Sequence, residues 1–249
     1  WNASGTGSGS YTLTGPYTTE KPLDIKLTGG SIRLSGDGQI NLGDVLVSGT
    51  SGTQGGTLLL DGAKDVVFGE KPVIVGAASA SSVIGRLVVT NSVLRSTCTE
   101  QIEENWSQAK GHLWVGSRAK GVLEIEEGGV ISNKVYSGGG GPGSASGDYP
   151  GAIYQHDGIF APLGNNQWYV STTLGLYGYG FYQMEGGIVR PWNPLGKANS
   201  GWFALGGYSG ATFIQNGGTV DVSGLGALTL GANGGGYAEY IVRKGTTTV

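Results

Sequence analysis

One phrase recurs four times in the second half of the 249-residue chain: an apolar run closing on Gly, a Gly-punctuated turn, a strand-like run, and a second Gly or Gly-Gly. It reads Leu113-Trp114-Val115-Gly116 through Gly128-Gly129, then Leu174-Gly175-Leu176 through Gly186-Gly187. It returns as Ala204-Leu205-Gly206 through Gly217-Gly218 and as Leu228-Thr229-Leu230-Gly231 through Gly245. A unit this short cannot bury its apolar side on itself. It must bury it on the units before and after, which is the defining property of a repeat architecture.

The spacing between glycine landmarks sets the period. Gly29 to Gly55 is 26 residues, Gly186 to Gly217 is 31, and Gly206 to Gly231 is 25. Between these landmarks lie runs of three to five residues rich in β-branched and apolar types: Leu23–Leu27, Ile32–Leu34, Thr57–Leu60, Val66–Phe68, Val73–Val75 and Leu87–Val89. Such runs bounded by Gly, Asn, Asp and Ser read as short strands. Three per period predict an all-β, parallel β-solenoid. It has eight to nine coils in a single domain over residues 1–249, a rod of about 40 Å.

Composition decides between order and disorder. Gly supplies 50 residues and Pro 8, a share of turn-formers close to that of low-complexity chains. Yet 38% of residues are hydrophobic and the net charge is only −3, so the chain collapses and its glycines serve defined turns. Charged residues are 13% and form no basic stripe, which argues against nucleic acid. No apolar run reaches bilayer length, so no membrane-spanning helix is expected. The single cysteine, Cys98, excludes an internal disulfide.

Three departures from the period are expected. Residues 1–19 read as an N-terminal arm or irregular first coil. Residues 97–110 read as a short helical insertion, with Thr99 as N-cap, Glu100, Glu103 and Glu104 near its start, and Gly111 behind it. Residues 133–170 read as one long Gly-rich loop, a usual place for a binding surface in a repeat protein.

The run Leu205-Gly206-Gly207-Tyr208-Ser209-Gly210-Ala211-Thr212-Phe213-Ile214-Gln215-Asn216-Gly217-Gly218-Thr219-Val220-Asp221-Val222 resembles the autotransporter-associated β-strand repeat. Gly128-Gly129-Val130-Ile131 and Gly186-Gly187-Ile188-Val189 match the same phrase. The resemblance covers 113–132 and 174–249, and 20–95 more loosely. It implies a right-handed β-helix outside the cell, secreted or on a bacterial surface, with a scaffolding or adhesive role. It brings no catalytic residue and no cofactor.

The carboxylate-rich spots have ordinary readings. Glu124 and Glu126, alternating with Leu123 and Ile125, read as the solvent side of a strand, with Glu127 beyond them. Asp37 and Asp44 read as turn residues rather than calcium ligands. No metal site is expected. The best acid–base grouping is Asp148, His156 and Asp157 with His112, and His156-Asp157-Gly158 is also an ordinary turn sequence. The expectation is a non-enzymatic protein.

A solenoid ends in two rows of unpaired backbone groups, and such edges recruit another strand unless blunted. Both ends here are β-prone and lack Pro near the last residue. The leading expectation is head-to-tail stacking of identical chains into a filament or sheath through Trp1, Tyr11, Leu13, Tyr237, Tyr240, Val242 and Val249. The alternatives are an adhesin passenger, or a carbohydrate-binding or polysaccharide-degrading module. Its glycan contacts would be Tyr154, Trp168, Trp192, Asp148, His156 and Asp157.

Overall fold

In the computed structural model the described residues are 2–5, 7–15, 17–49, 55–77, 83–97, 110–139, 149–162, 172–191, 202–223, 227–231 and 236–249. They form 23 strands, and no helix occurs among them. Every strand pairing is parallel. The chain winds as a parallel β-helix with three strand positions per turn, here called faces I, II and III.

Coil 1 holds Asn2–Gly5 and Gly9–Leu13, with Thr18 bridging to Gln39 on face III. Coil 2 begins with Leu23–Leu27. The long strand Ser31–Val47 then supplies faces II and III of coil 2 and face I of coil 3. Thr57–Phe68 completes coil 3. Coil 4 is Val73–Val75, Gly85–Thr90 and Val93–Ser96, and coil 5 is His112–Val115, Gly121–Ile125 and Val130–Ser132. Coil 6 is Lys134–Ser137, Gly151–Gln155 and Ile159–Phe160, and coil 7 is Thr172–Leu174, Gly180–Met184 and Ile188–Val189. Coil 8 is Trp202–Leu205, Ala211–Gln215 and Thr219–Asp221. Coil 9 is Ala227–Leu230, Ala238–Val242 and Thr246–Thr248.

Strand alternation sends one set of side chains inward, and coil-to-coil register stacks them in ladders. Face II carries Ile32, Leu58, Leu87, Leu123, Ile153, Tyr182, Phe213 and Tyr240 in one such ladder. Face III carries Ile40, Val66, Leu94, Ile131, Phe160, Val189, Val220 and Thr247. Face I carries Ile25, Val45, Val73, Leu113, Val135, Thr172, Phe203 and Leu228. Most of these are fully buried in one continuous core. Each buried aliphatic or aromatic side chain contributes about 1.5–3 kcal/mol of burial free energy.

The turn between faces I and II shows why the repeated phrase ends in Gly. Gly175 has φ 73°, and a Cβ there would meet the Gly210 carbonyl oxygen of the next coil at 2.3 Å. Its N–H donates to the Ser137 carbonyl at 2.8 Å, and Gly206 donates in the same way to Leu174. A left-handed backbone pressed between two coils admits no side chain.

One expectation changes. The stretch 133–170 is not a single loop: Lys134–Ser137, Gly151–Gln155 and Ile159–Phe160 sit in register with the coils on both sides. A buried Gln at an inward position, Gln155, interrupts the apolar alternation and conceals the strand. The first residues form a coil in register with coil 2, as in the second of the two readings of 1–19. The helical reading of 97–110 falls almost wholly on residues 98–109, outside the described residues.

Candidate functional site

Two surfaces stand out once the coils are in place: the rim at coil 9 and the outer side of face II. Coil 9 pairs with coil 8, and among the described residues its other edge pairs with nothing. Leu228, Ala238 and Tyr240, which continue the inward ladders, are only partly buried against the core. Leu230 is 52% exposed, Val242 50% and Val249 82%. At the opposite end Tyr11 and Leu13 are likewise partly buried against the core. The expected assembly residues therefore divide between the two terminal coils, apart from Trp1, which lies outside the described residues.

The rim is held by polar contacts from inside. Gln215 Nε2 donates to the carbonyls of Gly218 and Thr246, while its Oε1 accepts from the Tyr240 hydroxyl at 2.6 Å and from Thr247 at 3.0 Å. Two coils earlier the same device recurs. Gln155 donates to Gly158 and Ile188, and accepts from the Tyr182 hydroxyl at 2.6 Å. Each Gln ties its own coil to the next one, and the Tyr of the next coil supplies the hydroxyl. Where the Gln position holds Met184, the following coil has Phe213 in place of Tyr. Burial pushes the Tyr182 hydroxyl well above the usual phenol range.

On the outer side of face II, coils 6–9 present rings. Tyr154 and Phe181 lie 5.8 Å apart between centroids. The Tyr179 hydroxyl shares a 2.6 Å hydrogen bond with Thr212 Oγ1, and Tyr237 donates to Glu239. Beside the rings, in the turn from face II to face III, successive coils place Glu126, His156, Glu185, Asn216 and Arg243, each one residue past a registered position. Glu185 Oε1 accepts from Asn216 at 2.7 Å and Gln183 at 2.6 Å, and these bonds hold its carboxyl below the usual range. His156 Nε2 stands 3.8 Å from Glu126.

Of the expected acid–base grouping, His112 does not join His156 and Asp157. His156 and Asp157 are exposed in the turn after face II of coil 6, whereas His112 starts face I of coil 5. Asp148, Trp168 and Trp192 lie outside the described residues. His112 belongs instead to an aromatic group on the outer side of face I. Its ring is 5.2 Å from Tyr136, and Tyr136 stacks on Trp114 at 4.7 Å. Trp114 is 1% exposed and shares a second apolar cluster with Ile74, Tyr136 and Leu176. Burial, with the neighbouring Lys134 charge, pushes His112 down to about 3. The Trp114–Tyr136 stack was not foreseen. The signal was present as an aromatic at the outward position of two successive face I strands.

A groove of about 510 Å³ lies at the turn from face III to face I in coils 2–3, lined by Asp24, Asp44, Glu70, Leu42, Phe68 and neighbours. Asp44 pairs with Lys26 at 3.2 Å, and Glu70 with Lys110 at 3.0 Å. Among the described residues no group of three or more His, Cys, Asp or Glu is placed to hold a metal ion. No helix among the described residues is long and apolar enough to cross a membrane.

Comparison with family models, curated proteins and solved structures finds no match to this chain.

Proposed function

We propose that the chain is a non-enzymatic structural element of a cell exterior, a rigid β-helix whose coil 9 rim docks a further coil edge to edge, the docked coil being coil 1 of a second copy. One observation carries this reading: a solenoid edge with no paired strand among the described residues, over inward side chains left half-covered. Such an edge is a template for another strand.

The registers of the two ends support a copy as the occupant. The ladder that ends in Leu228 begins at Ala3, the one ending in Leu230 begins at Gly5, and the one ending in Tyr240 begins at Gly9. Stacking coil 1 on coil 9 sets small residues over large ones, and Tyr11 over Val242. The contact is heterologous and does not close, so it propagates as a filament. The outside location rests on the likeness of the Gly-Gly-x-Val phrase to autotransporter-associated repeats. The non-enzymatic reading draws on the burial of the strongly perturbed titratable groups His112, Tyr136 and Tyr182.

Light scattering and sedimentation velocity over a concentration series test the proposal. The native chain should grow in mean mass with concentration. The Leu230→Lys/Val242→Lys variant should stay monomeric with an unchanged thermal melt. A native chain that stays monomeric throughout, or a variant that assembles equally well, contradicts it.

A further inference from the structure

We propose that the outer side of face II in coils 6–9 binds an extended, uncharged polysaccharide laid along the solenoid axis. This site reaches the terminal coil at Tyr237 but does not depend on stacking.

The same face changes character along the molecule. In coils 2–5 its outward positions are spanned by ion pairs, Arg33 with Asp61 and Arg86 with Glu124. In coils 6–9 the corresponding surface carries Tyr154, Phe181, Tyr179 and Tyr237. Tyr179 is 42% exposed and Tyr237 62%. Flat rings in water suit a ligand with an apolar face and a polar rim, and a pyranose has both.

The rings are held in place before any ligand arrives. Tyr179 is pinned through its hydroxyl to Thr212, and Gly210 beneath it leaves the ring room, since a Cβ there would come 3.1 Å from Tyr179 Cδ2. The register places Tyr237 one coil beyond Gly210 and Tyr179 one coil before it, so the two rings stand in one line along the axis. Pre-set side chains lose little entropy on binding.

A line of planar hydrogen-bonding groups runs beside the rings. Gln183, Glu185 and Asn216 bond one another with Glu185 Oε1 at the centre, and Arg243 continues the line to coil 9. Such groups match sugar hydroxyls. Charges along this part of face II and its turn are of mixed sign, Asp157, Glu185 and Glu239 with Arg243 and Lys244, so no single-sign patch favours an acidic or basic polymer over an uncharged one. The coil spacing of about 4.8 Å is also close to the rise of a single pyranose in an extended β-linked chain, so a polymer laid along the axis presents about one sugar to each coil.

Affinity electrophoresis of the full chain through gels containing hydroxyethyl cellulose, xylan or glycol chitin tests this, with hyaluronan as a charged control. At least one uncharged polymer should retard the native chain, with little effect of salt. Tyr179→Ala and Phe181→Ser should each weaken retardation about tenfold while the thermal melt holds. Arg86→Ala on the ion-paired half, and the rim variant Leu230→Lys/Val242→Lys, should retain binding. Four results overturn the proposal: no retardation by any uncharged polymer, full retardation of the Tyr179→Ala/Phe181→Ser variant, binding confined to hyaluronan and abolished by salt, or ring variants whose only effect is on self-association.

Discussion

Coils 2–5 and coils 6–9 share one backbone and solve its interior differently. The earlier coils fill the ladders with Ile, Leu and Val, and place their polarity outside as ion pairs such as Arg95–Asp65 at 2.7 Å. The later coils stack rings inside: Tyr182, Phe213 and Tyr240 follow one another at centroid separations of 4.5 and 4.8 Å, with Phe160 and Phe203 against them. They also bring Gln155 and Gln215 into the core. The difference teaches that a solenoid tolerates a buried amide when each of its groups meets a carbonyl or hydroxyl from the next coil. The same coils carry rings on the outer side of face II.

The largest effect should come from the ring stack. Phe213→Ala removes the middle of it and should cost about 3–5 kcal/mol in urea unfolding, against about 0.5–1.5 for Ile40→Val, which trims one buried methyl in the earlier coils. Equal costs at the two sites would erase the distinction between the halves.

Next in size is the Gln–Tyr coupling. Gln155→Met strands the Tyr182 hydroxyl in the core and should cost about 1–3 kcal/mol. Adding Tyr182→Phe reproduces the Met184–Phe213 combination found one coil later, and should recover most of the loss. A double-mutant cycle reads this directly, and additive losses would contradict the pairing.

His112 sharpens the contrast through pH. Its folded value near 3 lies below the ordinary 6.5, so the neutral form is favoured by folding. That contribution is complete above pH 6.5 and is lost as pH falls toward 3, at about 1.4 kcal/mol per unit. Between pH 6.5 and 5 the native chain should lose about 2 kcal/mol more than a His112→Phe variant. Parallel curves for the two would remove the buried neutral imidazole from the account.

The smallest effect belongs to the ion pairs. Arg33 and Arg86 are 53% and 42% exposed at the side chain, so Arg33→Ala or Arg86→Ala should cost less than about 1 kcal/mol and matter less in high salt.

The solenoid was legible because its two signals are local: Gly at each left-handed turn, and apolar residues alternating through runs such as Leu23–Leu27 and Leu87–Val89. Coil 6 was hidden because its strand Gly151–Gln155 offers only Ile153 as an apolar inward residue, and its Gln is satisfied by Ile188, 33 residues away. Nothing near Gln155 announces that partner. The rim residues were readable from position and composition. The outer ring face was visible only as a cluster of aromatics, because sorting Tyr182 inward from Tyr179 and Phe181 outward needs the register. His112 and His156 looked compatible in spacing, but a coil of this length carries them to different faces.

The central claim, that coil 1 of one chain seats on coil 9 of another, is tested most directly by electron microscopy of the purified chain at high concentration. Unbranched rods with an axial repeat of about 43 Å, nine coils at the strand spacing, are the expected result. Discrete particles at every concentration, or closed pairs that do not extend, would contradict it.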